Sequence, residues 1–193
     1  MEDRLRKTSK FLSLILRHNP GKIGLEIDKN GWADIESLIS KAAKKRMTLT
    51  KALLNEVVET NEKQRFAISS DGLRIRANQG HSIKVDLGLE PKQPPPVLFH
   101  GTATRFVESI LKQGLVKGKR QHVHLSADIE TASKVGKRHG KLAIFKLNID
   151  KMVENKCVFY RSKNGVWLTD FVEPQFLELM ALPSEQKSQD STG

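Results

Sequence analysis

One cysteine, Cys157, is all the chain has, so it holds no internal disulfide and no cysteine-built zinc cluster. That scarcity fits a reducing compartment. Cys157 lies in the apolar run Cys-Val-Phe-Tyr160 and is expected as a buried thiol, not a nucleophile. No stretch approaches the ~20 apolar residues of a membrane span. The opening Met-Glu-Asp-Arg-Leu-Arg-Lys7 carries acids and no apolar core, so a signal peptide is not expected and the expected location is cytoplasmic. No Gly-x-Gly-x-x-Gly, Gly-x-x-x-x-Gly-Lys-Ser/Thr or His-Glu-x-x-His is present. Those absences argue against a Rossmann or P-loop nucleotide site and a zinc hydrolase. His122 and His124 share a strand face, but no third ligand lies close by, so no metal is expected.

Acids are also short. The chain has 22 Asp plus Glu against 33 Lys plus Arg, a net charge of +11 over 193 residues. Such an excess favours a polyanionic partner, with nucleic acid the leading candidate. A merely solvated basic surface is the plainer alternative. The length allows one domain or two small ones.

The chain organises itself around Thr8-Ser-Lys-Phe-Leu-Ser-Leu-Ile-Leu-Arg-His18. This reads as an amphipathic helix capped by Thr8 or Ser9, with Phe11, Leu12, Leu14, Ile15 and Leu16 inward. Asn19-Pro-Gly21 stops it. Arg17 and His18 then sit at the helix end. They either complement the helix dipole or grip an anion, and this stretch alone leaves both open. Ile23–Asp28 reads as a short strand, followed by a turn at Lys29–Trp32. Helices are expected from Asp34 to about Lys45 and from about Thr50 to Val58. Arg65–Ser69 and Leu73–Arg76, joined through Ser-Asp-Gly72, read as a hairpin. Helices followed by such a wing indicate a winged-helix module. The next run, Arg76-Ala-Asn-Gln-Gly-His-Ser82, holds more polar donors than a strand end needs.

Residues 88–96 contain four of the seven prolines and read as a stiff linker between two lobes. Beyond it the pattern is of short strands and few helices. Strands are expected at Val97–His100, His122–Ser126, Leu142–Leu147, Gly165–Thr169 and Phe176–Leu179. Helices are expected at Thr104–Gln113, with Phe106, Ile110 and Leu111 inward, and from Asp128 to about Arg138. Residues 183–193 are expected to be a disordered tail. The fold class is therefore α+β, with lobes at 1–87 and 97–182. Arg17, His18, Arg76 and Arg138 lie at element ends, with no carboxylate pair and no nucleophilic triad in evidence. That set suits holding a phosphate and stabilising charge on it during transfer.

Thr8–His18, Asn30-Gly-Trp-Ala-Asp34, Arg76–Ser82, Phe99-His-Gly-Thr102, His124-Leu-Ser-Ala-Asp128, Val135-Gly-Lys-Arg-His-Gly140 and Asn164-Gly-Val-Trp-Leu-Thr169 follow one another in this order. In these stretches the chain closely resembles the NAD⁺-dependent RNA 2′-phosphotransferases of the bacterial KptA type, from Thr8 to about Leu182. The resemblance implies an N-terminal winged-helix lobe that presents the RNA phosphate. It implies a C-terminal lobe of ADP-ribosyltransferase type that binds NAD⁺ as co-substrate. By position, Arg17, His18, Arg76 and Arg138 correspond to the catalytic set, and Gln79, His81 and Ser82 join Arg17, His18 and Arg76 around the RNA phosphate. His100, Gly101 and Thr102, then His124 and Ser126, then Val166, correspond to the three NAD⁺ motifs. Val166 stands where protein-modifying relatives of the fold carry Glu, which argues against transfer to an amino-acid side chain.

The implied reaction has two displacements. The RNA 2′-phosphate displaces nicotinamide from the ribose C1″ of NAD⁺. The ribose O2″ then attacks phosphorus and expels the RNA 2′-OH, leaving ADP-ribose 1″,2″-cyclic phosphate. Neither displacement calls for a metal. A monomer acting on 2′-phosphorylated RNA, without a membrane, is the expected arrangement. Two rivals stand: a winged-helix regulator with a ligand-sensing lobe, and an ADP-ribosyltransferase that caps phosphorylated nucleic-acid ends.

Overall fold

The computed structural model describes residues 2–180. The expected tail at 183–193 lies outside them. The architecture is α+β, made of small antiparallel sheets with helices packed on them.

The first helix, α1 (Glu2–Arg17), starts a full six residues before the expected cap. Thr8 is not a cap but a buried position within it. Glu2 and Asp3 stand at its positive end instead, and Asp3 pairs with Arg6 and Lys7. Leu12, Ile15 and Leu16 are wholly buried, whereas Leu14, expected inward, is 36% exposed. The expected strand at Ile23–Asp28 does not form. Asn19 caps a 3-10 turn at Pro20–Ile23 by accepting the Lys22 N–H, and residues 25–28 stay irregular. Ile23 and Leu25 are buried, so their alternation reports burial without a partner strand.

β1 (Ala33–Asp34) leads into α2 (Ile35–Ala43), where the Asp34 carboxylate accepts the Ser37 N–H. Thr50 caps α3 (Lys51–Glu59) in the same way through Leu53. β2 (Phe66–Ile68) and β3 (Arg74–Ala77) form the expected hairpin, and the sheet order is β1-β3-β2. The three helices cover one core against this sheet, from Leu12 to Ala77.

A second core runs from Leu98 to Phe176. Its main sheet holds β4 (Val97–Ala103) and β7 (Leu142–Asn148) with β11 (Leu177–Leu179), in the order β11-β7-β4. A second sheet has β9 (Trp167–Thr169) between β6 (Val123–Leu125) and β8 (Phe159–Arg161). Phe99 and Ser126 exchange backbone bonds and tie the two sheets together. β5 (Leu115–Val116) pairs with β10 (Phe171–Val172). The helices are α4 (Val107–Gln113), α5 (Ile129–Gly136) and α6 (Ile149–Glu154).

Phe106 and Leu111, expected inward, are 40% and 45% exposed, and only Ile110 of that trio is buried. Phe176 closes a 3-10 turn at Pro174–Phe176 and does not begin the last strand. Cys157 is half-buried, and desolvation raises its thiol pKa, which suits an unreactive thiol. The proline-rich segment is extended and laid on β8, where Lys92 N–H donates to Phe159 O at 2.8 Å.

α5 lies against β4 so closely that two glycines are obligatory. A Cβ on Gly101 would stand 1.8 Å from Ala132 O, and one on Gly136 would stand 2.8 Å from Thr102 O. This contact fixes the height of β4 under α5, and with it His100 and Thr102.

Candidate active site

Arg17 is the last residue of α1, so its backbone carbonyl is free of the helix ladder. That carbonyl accepts the Ser82 N–H at 2.9 Å, which clamps the 78–82 loop to the helix end. Gly80 (φ +86) turns this loop through the left-handed region that favours glycine, alongside the Arg17 guanidinium. Next in sequence, His18 Nδ1 meets Ser82 Oγ at 3.0 Å. Arg17 Nη2 donates to Arg65 O at 3.4 Å, and its guanidinium lies over Phe66 at 5.8 Å. Its Nε is buried with no partner among the described residues. Burial first, then the charges of Arg65 and Arg120, lower its pKa to about 10. The same order of causes, burial, Arg17 and Arg120, lowers His18.

The cations grouped around the helix end are therefore Arg17, His18, Arg65 and Arg120. Arg65 and Arg120 were not singled out by the sequence. Arg65 reads as the first residue of a hairpin strand, and Arg120 as one of several cations in Lys117-Gly-Lys-Arg120.

The structure places the other two expected arginines differently. Arg76 is held on the face of Trp32, 4.5 Å from the ring, and donates to Asn30 O at 3.3 Å. Such a stacked guanidinium gains about 0.5–2 kcal/mol from the ring. Its Nε is buried and unpartnered among the described residues, and burial lowers its pKa despite Asp28. Arg138 is exposed in the 3-10 turn Lys137–His139 that follows α5. It faces Lys63 and Arg65, whose pKa values it depresses after burial does. Among the described residues, none of Arg17, Arg65, Arg76, Arg120 or Arg138 makes an ion pair with an acid. Five arginines in or beside one region, none in contact with an acid among the described residues, form a field suited to a phosphate.

Gln79, His81 and Ser82 differ in placement. Ser82 is on His18, as stated. Gln79 turns across to the other half of the chain, where its Oε1 meets His124 Nε2 at 2.8 Å. His81 is 1% exposed and, among the described residues, neither ring nitrogen has a partner. Burial, then Arg17, His18 and Arg76, lower its pKa to about 4. An unfolded histidine titrates near pH 6.5. Below that pH the unfolded chain binds a proton that folded His81 refuses until about pH 4. Stability from this group is complete above pH 6.5 and falls as pH drops through that window, by at most about 1.4 kcal/mol per pH unit. The urea midpoint is expected to fall from pH 7 to pH 5, and to fall less in His81→Gln. An equal fall in the two proteins contradicts a neutral buried His81.

In the second half, His100 Nδ1 meets the carbonyl of His124 at 3.1 Å. A carbonyl only accepts, so His100 carries its proton on Nδ1 and keeps Nε2 as an acceptor. Burial lowers the pKa of His100, with His139 and Arg120 adding to it against the His124 carbonyl. Thr102 is buried on β4, and Ser126 is half-buried beside Phe99. Val166 is half-buried in a turn closed by Ser162, whose Oγ accepts the Val166 N–H at 3.1 Å. Asn164, in that same turn, donates to Lys63 O at 3.0 Å and ties it to the first half. His122 stacks obliquely on Tyr160 at 5.6 Å. Among the described residues no group of three or more His, Cys, Asp or Glu could hold a metal ion. None of the described helices is long and apolar enough to cross a membrane.

Comparison with known proteins agrees with the order of motifs. A family described as RNA 2′-phosphotransferase, Tpt1/KptA, matches residues 3–171. A protein of Hahella chejuensis named "Probable RNA 2′-phosphotransferase" is 54% identical over 180 residues, covering 93% of this chain and 97% of its own. One of Acaryochloris marina with the same name is 55% identical over 91% of this chain and 97% of its own. One of Flavobacterium johnsoniae, again so named, is 52% identical over 92% and 97%. With a match of that extent and relatives of that identity, the chain belongs to the Tpt1/KptA family of RNA 2′-phosphotransferases.

Proposed function

We propose that the protein removes a 2′-phosphate from RNA and transfers it to NAD⁺, acting as a monomer. The observation that carries this reading is the cluster of Arg17, His18, Arg65 and Arg120, in which, among the described residues, no arginine is paired to an acid. A phosphate monoester brings about −1.5 to −2 charges at pH 7, which such a cluster stabilises. The packing of α1–α3 on a three-stranded sheet with the β2–β3 hairpin supports a winged-helix lobe that presents the RNA. The β4–β7 pair crossed by α5, with His100 and His124 joined across two sheets, supports an ADP-ribosyltransferase-type lobe. The lobe limits we adopt are 1–87 and 97–182, joined by 88–96.

NAD⁺ enters as a co-substrate and supplies an electrophilic ribose carbon with nicotinamide as its leaving group. The residues present fit it: His100 Nε2 is an acceptor for a ribose hydroxyl, Thr102 shares β4 with it, His124 lies on β6 and bonds it through its carbonyl, Ser126 follows β6 and bridges Phe99, and Val166 directly precedes β9. Gly101 contributes by packing, since it is the Ala132 carbonyl that forbids its Cβ. Val166 offers no carboxylate, in keeping with a phosphate nucleophile that is already ionised.

Arg17, Arg65 and Arg120 hold the RNA phosphate through both displacements and neutralise the charge that builds at phosphorus in the second. His18, whose depressed pKa favours the neutral form, takes the proton of the attacking ribose hydroxyl and returns it to the departing RNA 2′-oxygen. Ser82 orients it through Nδ1. Arg76 and Arg138 flank this cluster and suit steering of the RNA strand.

The test is nicotinamide release. RNA carrying one internal 2′-phosphate is expected to yield one nicotinamide per phosphate lost, and the same RNA with a 2′-OH none. Equal release with both RNAs, or none with either, overturns the reading.

A further inference from the structure

His124 is bonded at both ring nitrogens, and the two bonds decide its protonation. Arg120 Nη1 lies 3.1 Å from Nδ1. A guanidinium can only donate, so Nδ1 is an acceptor. A neutral imidazole has one N–H, which must then be on Nε2. That N–H faces Gln79 at 2.8 Å, and so Gln79 must present its carbonyl oxygen. Arg120 thereby settles which way the Gln79 amide is turned. Gln79 and His124 are 45 positions apart in the chain and belong to its two halves.

We propose that Gln79 is a positioning residue that holds His124 as the Nε2–H tautomer and thereby holds Arg120 in the phosphate cluster. This rests on the function proposed above. Were Nδ1 to carry a proton, it would face the Arg120 guanidinium as donor against donor and expel it. Among the described residues, the groups that face His124 are Arg120 and His122 from the segment before its strand, Arg17 from α1 and His100 from β4. Its neighbour across β9 is Leu168. None is an acid. Burial first, then these groups, lower the His124 pKa to about 3. Gln79 supplies an acceptor without supplying a negative charge, which keeps His124 oriented and neutral together.

The sharpest test is Gln79→Glu, which keeps the acceptor and adds the charge. A carboxylate on Nε2–H favours the imidazolium, whose second proton lands on Nδ1 against Arg120. The ratio of variant to wild-type single-turnover rate is expected to fall with acidification between pH 8 and pH 5, approaching tenfold per pH unit below the new His124 pKa. Taking the ratio removes the titration of His18, which both proteins share. A ratio independent of pH overturns the proposal, as does Gln79→Leu with wild-type rate. A wild-type protein inactive with NAD⁺ and 2′-phosphorylated RNA sinks the function itself, which is a different result. Two-bond ¹H–¹⁵N spectra of the histidine rings read the proposal without activity, with His124→Asn assigning the signal. Nε2–H is expected in wild type at pH 6 and the imidazolium in Gln79→Glu. Nδ1–H in wild type overturns it.

Discussion

Replacing Arg17 with alanine is expected to slow single-turnover loss of the RNA 2′-phosphate by about 10²–10³-fold, the usual effect of removing one donor from a charge-stabilising set. The Arg17 side chain contacts the Arg65 carbonyl and shares the field of Arg65 and Arg120, while the backbone clamp on Ser82 survives the substitution. Arg65→Ala and Arg120→Ala are expected in the same range. Arg76→Ala and Arg138→Ala are expected to lose less than Arg17→Ala, because Arg76 is stacked on Trp32 and Arg138 stands exposed at the edge. Their loss should fall mainly on RNA affinity and its salt dependence. With Arg17→Ala, RNA bearing an ADP-ribosyl adduct should build up, since the first displacement needs an oriented phosphate and the second must also stabilise charge at phosphorus. Rapid, complete turnover by Arg17→Ala contradicts the assignment.

The second large effect is on stability. Gly101→Ala puts a methyl group 1.8 Å from the backbone carbonyl of Ala132, and a backbone atom cannot swing aside as a side-chain end can. Either α5 lifts off β4 or the strand shifts, and the expected cost is about 3 kcal/mol, at the upper end for overpacking. Urea unfolding at pH 7 measures it. Gly21→Ala is the control, since its nearest neighbour would be Asn19 Oδ1 at 3.8 Å. A Gly101→Ala midpoint equal to that of the control contradicts the close packing. Because His100 and Thr102 flank Gly101 on β4, whatever folded Gly101→Ala remains should also bind NAD⁺ more weakly.

Both effects show what the sequence could and could not carry. Arg17 and His18 were legible because a helix-stop signal, Asn-Pro-Gly, follows them directly and places them at an end. The starts of α2 near Asp34 and of α3 near Thr50 were legible from local residues too. Arg65 and Arg120 were not, because their place beside Arg17 is made by the tertiary fold, across 48 and 103 positions of chain. Charge density alone could not pick Arg120 from Lys117 and Lys119. Periodicity identifies the apolar face around α4 but not its cover, and Phe106 and Leu111 on that face stay exposed. The two-residue strands β5 and β10 are too short to show any period. Thr8 looked like a cap because nothing in its residue type says that the helix has already begun. The Gln79–His124 bond had no local signature at all.

The most direct measurement follows one RNA with a single internal 2′-phosphate through one turnover with NAD⁺ in the presence of EDTA, and identifies where the phosphorus goes. The predicted result is 2′-OH RNA with the phosphorus recovered in ADP-ribose 1″,2″-cyclic phosphate, and no loss of phosphate when NAD⁺ is omitted. Phosphorus recovered as free orthophosphate, or RNA bound tightly in a salt-sensitive way and left unchanged, contradicts it.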